Sequence, residues 1–307
     1  MRVPSRLRRR TWSEGGLWAL WAPTYPGPVR IDLHTHSSVS DGTQPPAELV
    51  AAAADAGLDV VALTDHDTTA GWQQAGVAAD ALGLRLVRGM EVSCTAAGAS
   101  VHLLSYLHDP TSPGLLAEIE RSRESRVTRA MRIVERLGVD VPLTWQDVQE
   151  HIVEGATIGR PHIADALVAR GLATDRGDAF AGLLSSRGPY YVPHYAPDAV
   201  EAVALVRQAG GVPVMAHPLA RLRGRVVDDG VVEAMAAAGL AGLEVDHRDN
   251  AEADRAHLRR LAGRLGLFTT GSSDYHGVGK DNRLGENTTE PEVLDEIWSR
   301  GHRSATG

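Results

Sequence analysis

The chain of 307 residues is 43% hydrophobic and 23% charged, enough apolar material for one large α/β barrel or two ordinary domains. Its net charge of −8 argues against nonspecific binding of nucleic acid by the surface as a whole, while leaving room for a local cationic pocket. No run approaches the ~18 apolar residues of a membrane span, and the lone cysteine, Cys94, cannot form an intramolecular disulfide, so a cytoplasmic setting is expected.

Residues 1–28 come first, with a basic run over Arg6 to Arg10, then Trp12, Trp18 and Trp21 and three prolines. They lack the clean apolar core and small-residue cleavage site of a secretory signal. The composition reads as a disordered leader or an over-extended start, ahead of a basic arm for nucleic acid or lipid.

An extended start at Ile31 then runs into His34-Thr35-His36 and on to Asp41-Gly42. Alternate residues of a strand share a face, so His34 and His36 can close on one ion while Asp41 folds back from the turn. Alone, such a pair also fits two polar residues leaving a sheet. Pro45 to Ala56 reads as a helix stopped by Gly57, and Leu58 to Leu63 as a buried strand ending in Thr64-Asp65-His66-Asp67. A helix over about Thr69 to Leu82 leads to a strand at Leu84 to Val87, the loop Gly89-Met90-Glu91-Val92, and a fourth strand over Ser100 to Leu107 holding His102.

The rhythm breaks between Gly114 and Asp198, which reads as mostly helical: Leu115 to Leu137, a capped helix at Thr144, Pro161 to Ala169, and Asp175 to Leu184. Alternation resumes with strands at Val212 to Ala216, Gly242 to Val245 and Leu267 to Gly271, between helices near Asp198 to Ala209, Asp229 to Ala238 and Ala251 to Leu265. The fold class expected is α/β: a distorted, mainly parallel seven-stranded (β/α) barrel formed by 29–109 and 199–307, with 110–198 as a helical insertion between strands four and five.

Polar residues gather where these strands stop: His34 and His36, His66, Glu91, His102, His217, then Asp274 and His276. The carboxyl ends of barrel strands converge on one face, so nine candidate ligands, counting Asp41, meet at one mouth. The thirteen histidines beside one cysteine favour N/O ligation. At roughly three to four protein ligands per ion the set serves two or three divalent metals, whose charge exceeds that of the three carboxylates. Such a surplus selects an anion, and phosphate esters are the anions whose hydrolysis most often uses clustered metals, which bring the pKa of bound water to about 7.

Arg123, Arg126 and Arg129 recur at a three-residue spacing, which puts at least two on one side of a helix. A guanidinium can grip phosphate bidentately, although Arg123 also reads as part of a solvated basic face. Lys280 and Arg283 are weaker candidates, and His162, His194 and Asp65 could give the leaving alcohol its proton.

Together, IDLHTHSSVSDG at Ile31 to Gly42, LTDHD at Leu63 to Asp67, GMEV at Gly89 to Val92, His102, AHP at Ala216 to Pro218 and GSSDYHG at Gly271 to Gly277 resemble the polymerase and histidinol phosphatase (PHP) superfamily. The resemblance implies a trinuclear site of manganese, iron or zinc, manganese first. It implies His34, His36, Glu91 and Asp274 on one ion, Asp41, His66 and His276 on a second, and His102 and His217 with a bridging Glu91 on the third. The stretch Thr157-Ile158-Gly159-Arg160-Pro161-His162 resembles the branch that hydrolyses nucleoside 3',5'-bisphosphates and trims short 5'-phosphorylated RNA, and there Arg160 aligns with a substrate-contacting arginine. The leader is a departure from that branch. The expected partner is a small phosphorylated nucleotide or short RNA, with neither duplex DNA nor membrane. A histidinol phosphate phosphatase is one alternative; a non-catalytic or proofreading module of a polymerase is another, disfavoured because the chain ends soon after the barrel and no ligand of the pattern is missing.

Overall fold

The apolar runs Val60-Val61-Ala62-Leu63 and Val212-Pro213-Val214-Met215 are fully buried, and helices cover the outer face of the sheet that they join. The computed structural model describes residues 29–301; the leader at 1–28 lies outside the described residues. Among the described residues, seven strands form one sheet in the order β1 to β7: β1 Ile31–Asp32, β2 Val60–Leu63, β3 Arg85–Ala96, β4 Ala99–Tyr106, β5 Val212–Met215, β6 Gly242–Asp246 and β7 Phe268–Gly271. Just beyond the strands, Thr35 bridges Tyr275 in parallel and the amide of His36 donates to the carbonyl of Tyr275 at 2.8 Å, so the sheet nearly closes into a barrel.

The surrounding helices are α1 Pro46–Asp55, α2 Trp72–Leu82, α7 Ala199–Gln208, α8 Asp229–Ala237, α9 Glu252–Leu265 and α10 Pro291–Arg300, with α3 Pro113–Leu137, α4 Trp145–Gln149, α5 Arg160–Ala169 and α6 Arg176–Ala181 between β4 and β5. Helix α10, which buries Leu294 and Ile297, has no counterpart in the sequence reading. Helix α6 is shorter than expected, ending before Gly182.

The larger correction concerns β3. It runs twelve residues rather than stopping at Val87, so Glu91 sits inside a strand and not in a loop after it. Arg85 to Arg88 pair with β2 in parallel, and Gly89 to Ala96 pair antiparallel with β4 across a two-residue turn. Both turn residues, Ala97 and Gly98, have positive φ, the geometry that matches the twist of a tight hairpin. No helix separates the third and fourth strands, and β4 is antiparallel to β5 as well.

Apolar clusters fill the barrel and its helical shell, while Ile133, Leu137, Val148, Ile163 and Leu167 form a separate cluster among α3, α4 and α5. Leu103, fully buried between Val92 and Met215 on the neighbouring strands, is at the centre of the main cluster. Leu103→Ala is expected to cost about 2–5 kcal/mol of stability, from lost transfer energy plus a cavity. Urea unfolding of the two proteins measures it; a difference under about 1 kcal/mol would contradict this packing.

Candidate metal centre

The barrel mouth collects its polar side chains because strand ends converge there. His34 and His36 alternate out of β1 toward the centre, both fully buried. After Asp41 the chain doubles back on itself: a Cβ at Gly42 would stand 2.2 Å from the His36 carbonyl oxygen, so only glycine fits. Asp65 shapes the same loop, accepting from the Ser37 amide at 2.7 Å, the Ser37 hydroxyl at 2.7 Å and the Ser40 hydroxyl at 2.6 Å. His217 and Asp274 are non-glycine residues at φ 30° and 54°, and strained backbone of this kind clusters at functional sites.

All nine candidate ligands meet in one volume. His34 Nε2 and His36 Nε2 lie 3.0 Å apart. Each faces Glu91 Oε2, at 3.1 and 3.0 Å, and Asp274 Oδ1, at 3.5 and 3.3 Å. Asp41 Oδ1 is 3.2 Å from His276 Nε2 and 3.6 Å from His36 Nδ1, and Asp41 Oδ2 is 3.8 Å from His66 Nε2. Glu91 divides its oxygens: Oε2 faces His34, His36 and, at 3.3 Å, His66, while Oε1 faces His102 at 2.7 Å and His217 at 3.2 Å. Among the described residues the ligand atoms form three overlapping groups, His34-His36-Glu91-Asp274, His36-Asp41-His66-His276 and His66-Glu91-His102, so His36, His66 and Glu91 each belong to two.

Donor atoms about 2.1 Å from a shared ion stand roughly 3.0–3.4 Å apart at tetrahedral or octahedral angles. The His34, His36, Glu91 and Asp274 atoms are 3.0–3.5 Å apart, which is that spacing. His66 Nδ1 and His276 Nε2 are buried and hydrogen-bonded to nothing in the protein, although each has a carboxylate oxygen within 3.3 Å. Two ligands of one ion stand to each other in this way. The residues therefore fit divalent metal.

The electrostatics agree. Burial would raise the carboxyls of Glu91, Asp41 and Asp274, but the nitrogens facing them outweigh it and hold all three well below the usual range: His66 and His102 at Glu91, His276 and His66 at Asp41, Lys280 and Arg223 at Asp274. Burial is also the largest influence on His66, pushed well down, on His217, pushed to about 3, and on His276, pushed to about 4. Neutral imidazoles at these positions offer lone pairs. His36 goes the other way, to about 9, because Asp274, Glu91 and Asp41 outweigh burial. The centre demands positive charge.

Beside it lies a cationic group. Arg126 donates from Nε to Asp67 Oδ2 at 2.9 Å and from Nη2 to Ser93 Oγ at 2.5 Å, and Ser93 pairs across the hairpin with His102. A Cβ at Gly159, at the start of α5, would lie 3.8 Å from Arg126 Nη1, which puts Arg126 against the helix that begins with Arg160. Arg160 donates to the Leu184 carbonyl at 3.0 Å and lies over the ring of Phe180. Arg129 is buried, with Nε on the Val192 carbonyl at 2.8 Å. His194 is surrounded by them: burial first, then Arg126, Arg129, His102 and Arg160, push its imidazole to about 3. Arg123 bonds Thr157 and the Gly155 carbonyl, a structural task. His162 accepts from the Gly159 amide at 3.1 Å, and Arg283 is exposed.

Lys280, expected as a weaker phosphate candidate, instead reaches Asp274 Oδ2 at 3.2 Å, and Arg223, which sequence reading missed, reaches the same oxygen at 2.5 Å, on the side away from the imidazoles of His34 and His36. Two further participants were missed. Glu244, in the middle of β6, and His247, just past its end, are both fully buried, and that strand carries none of the nine. A charged residue inside the apolar run Gly242-Leu243-Glu244-Val245 was the available signal.

A PHP domain profile matches residues 32–132. The chain is 33% identical over 278 residues to a 3',5'-nucleoside bisphosphate phosphatase of Chromobacterium violaceum, covering 88% of this chain and 95% of that protein. It is 31% identical over 273 residues to a 5'-3' exoribonuclease of Haemophilus influenzae, covering 88% and 98%. A crystal structure from Bifidobacterium adolescentis, described as a metal-dependent phosphoesterase, superposes with a TM-score of 0.88 at 44% identity, covering 91% of this chain and 98% of that one.

Proposed function

The chain belongs to the PHP family, and from that premise we propose that it is a metal-dependent phosphoesterase removing the 3'-phosphate of nucleoside 3',5'-bisphosphates, with short 5'-phosphorylated RNA as a second substrate. One observation carries the reading: a nest of ligand atoms at metal spacing lies next to a half-buried arginine group, two ways of holding phosphate in one mouth. We assign three divalent ions, manganese first, to the His34, His36, Glu91 and Asp274 set, the Asp41, His66 and His276 set, and the His102 and His217 set that shares Glu91. When bound, the ions would supply water acidified toward neutrality and neutralise the phosphoryl oxygens.

The chain's own residues do the rest. Glu91 presents one oxygen to each side of the nest and so fixes the separation of the sites. Lys280 and Arg223 hold the outer oxygen of Asp274, so its inner oxygen keeps one direction. Arg160 and Arg126 present planar donors to a second phosphate.

The test is phosphate release from pAp, 5'-AMP, histidinol phosphate and a 5'-phosphorylated short RNA, in the presence of manganese. The expected result is kcat/KM for pAp at least about tenfold above that for 5'-AMP, since one charged hydrogen-bonding contact is worth roughly 1.5–3 kcal/mol. Histidinol phosphate as the best substrate would replace the nucleotide reading with the alternative one.

A further inference from the structure

Strand β6 gives the centre no ligand in the assignment above, yet its Glu244 is fully buried behind that centre. A carboxylate in the middle of a buried parallel strand is costly unless donors satisfy it. Two do, and both belong to ligand residues on other strands: His34 Nδ1 stands 2.9 Å from Oε1, and the backbone amide of His217 donates to Oε2 at 2.8 Å. We propose that Glu244 is a positioning residue that fixes the tautomer of His34 and the strained backbone of His217, so that a single buried carboxylate orients one ligand in each of two sets.

The reasoning is one of donors and acceptors. An ionised carboxylate only accepts, and a neutral imidazole carries one N–H. With Nδ1 against Glu244 the proton resides on Nδ1, and Nε2 is left with a bare lone pair. Nε2 is the atom that faces His36, Glu91 and Asp274. The other oxygen acts on conformation instead of protonation. His217 sits at φ 30°, which an L-residue adopts only when its surroundings hold it there, and its amide is gripped from β6. Glu244 is itself anchored: the Asn250 side chain donates to its carbonyl at 3.1 Å and to that of Val245 at 3.0 Å, while Asn250 Oδ1 accepts from the amide of Leu219, two residues past His217.

The inference rests on the proposed metal reading, and Glu244→Gln tests it. The amide keeps the volume but cannot accept from both donors at once; one of its ends must turn an N–H toward either the His217 amide or His34 Nδ1. Zinc titration against a competing chelator, with elemental analysis after dialysis, is expected to show the tightest ion of the wild type weakened about 10- to 100-fold, the usual effect of losing such an outer partner, with at least one ion retained. Equal affinities and stoichiometry in a folded Glu244→Gln protein would overturn the proposal. A second measurement needs no variant: the ring nitrogens of His34 in the 15N-labelled, zinc-loaded wild type should show Nδ1 protonated and Nε2 ligated. Zinc bound with His34 ligated through Nδ1 would overturn the role of Glu244 and leave the metal centre standing. A wild type that binds no zinc, manganese or iron would instead overturn the metal reading beneath it.

Discussion

Glu91→Gln is expected to lower kcat/KM for every phosphate ester by roughly 10³-fold, as losing about 4 kcal/mol of transition-state stabilisation does, and to bring the protein down to the level of chelated wild type. The size follows from where the charge sits. One oxygen faces His34, His36 and His66, and the other faces His102 and His217, so a single carboxylate serves every set except part of the Asp41 group. Gln keeps the length but removes the anion and turns an amide into one of these faces. Removing one partner from a buried charged network leaves the rest uncompensated. Metal content and turnover should therefore fall together, with elemental analysis reporting the first and phosphate release the second. Turnover within about tenfold of wild type, in a variant that has lost no metal, would mean that Glu91 bridges nothing.

The position of Glu91 shows what the sequence displayed and what it hid. The motif around it was legible, because an acid after an apolar run in a barrel pattern points to the mouth. The strand carrying it was not: Val87, Gly89 and Met90 gave no sign that β3 continues to Ala96, since the signal lies in the Ala97-Gly98 turn and in cross-strand partners such as Leu103 and Leu104. Pairing of this kind depends on residues distant in sequence. The ligands were readable because metal chemistry allows few residue types and the barrel's strand ends bring them together. Glu244, His247 and Arg223 touch the ligand residues; Glu244 stood out as a charge inside an apolar run, while nothing in local spacing marks His247 or Arg223. Arg129 was legible as one of an arginine row, but its burial against the Val192 carbonyl depends on how α3 packs.

The arginines supply the other large effect. Arg126 is already committed to Asp67 and Ser93, so truncating it would break an ion pair with a buried partner and confuse binding with folding. Arg160 is the cleaner probe: among the described residues its contacts are a carbonyl, that of Leu184, and the rings of Phe180 and Tyr191, with no carboxylate paired to it. Burial is the main influence pulling its pKa down, with Arg126 adding to it. A cation so placed gains from an arriving anion. A bisphosphate can rest one phosphate on the metals and the other on this guanidinium, and a charge-assisted contact contributes about 2–3 kcal/mol, or roughly 30- to 150-fold in kcat/KM. Arg160→Ala is therefore expected to lose about that factor on pAp while hydrolysis of a simple aryl phosphate changes little. If both substrates fall alike, Arg160 orients the phosphate under attack instead. Unchanged kinetics on both, in a folded variant with its full metal content, would take Arg160 out of the substrate's reach and remove the main residue-level reason for preferring nucleotides to histidinol phosphate.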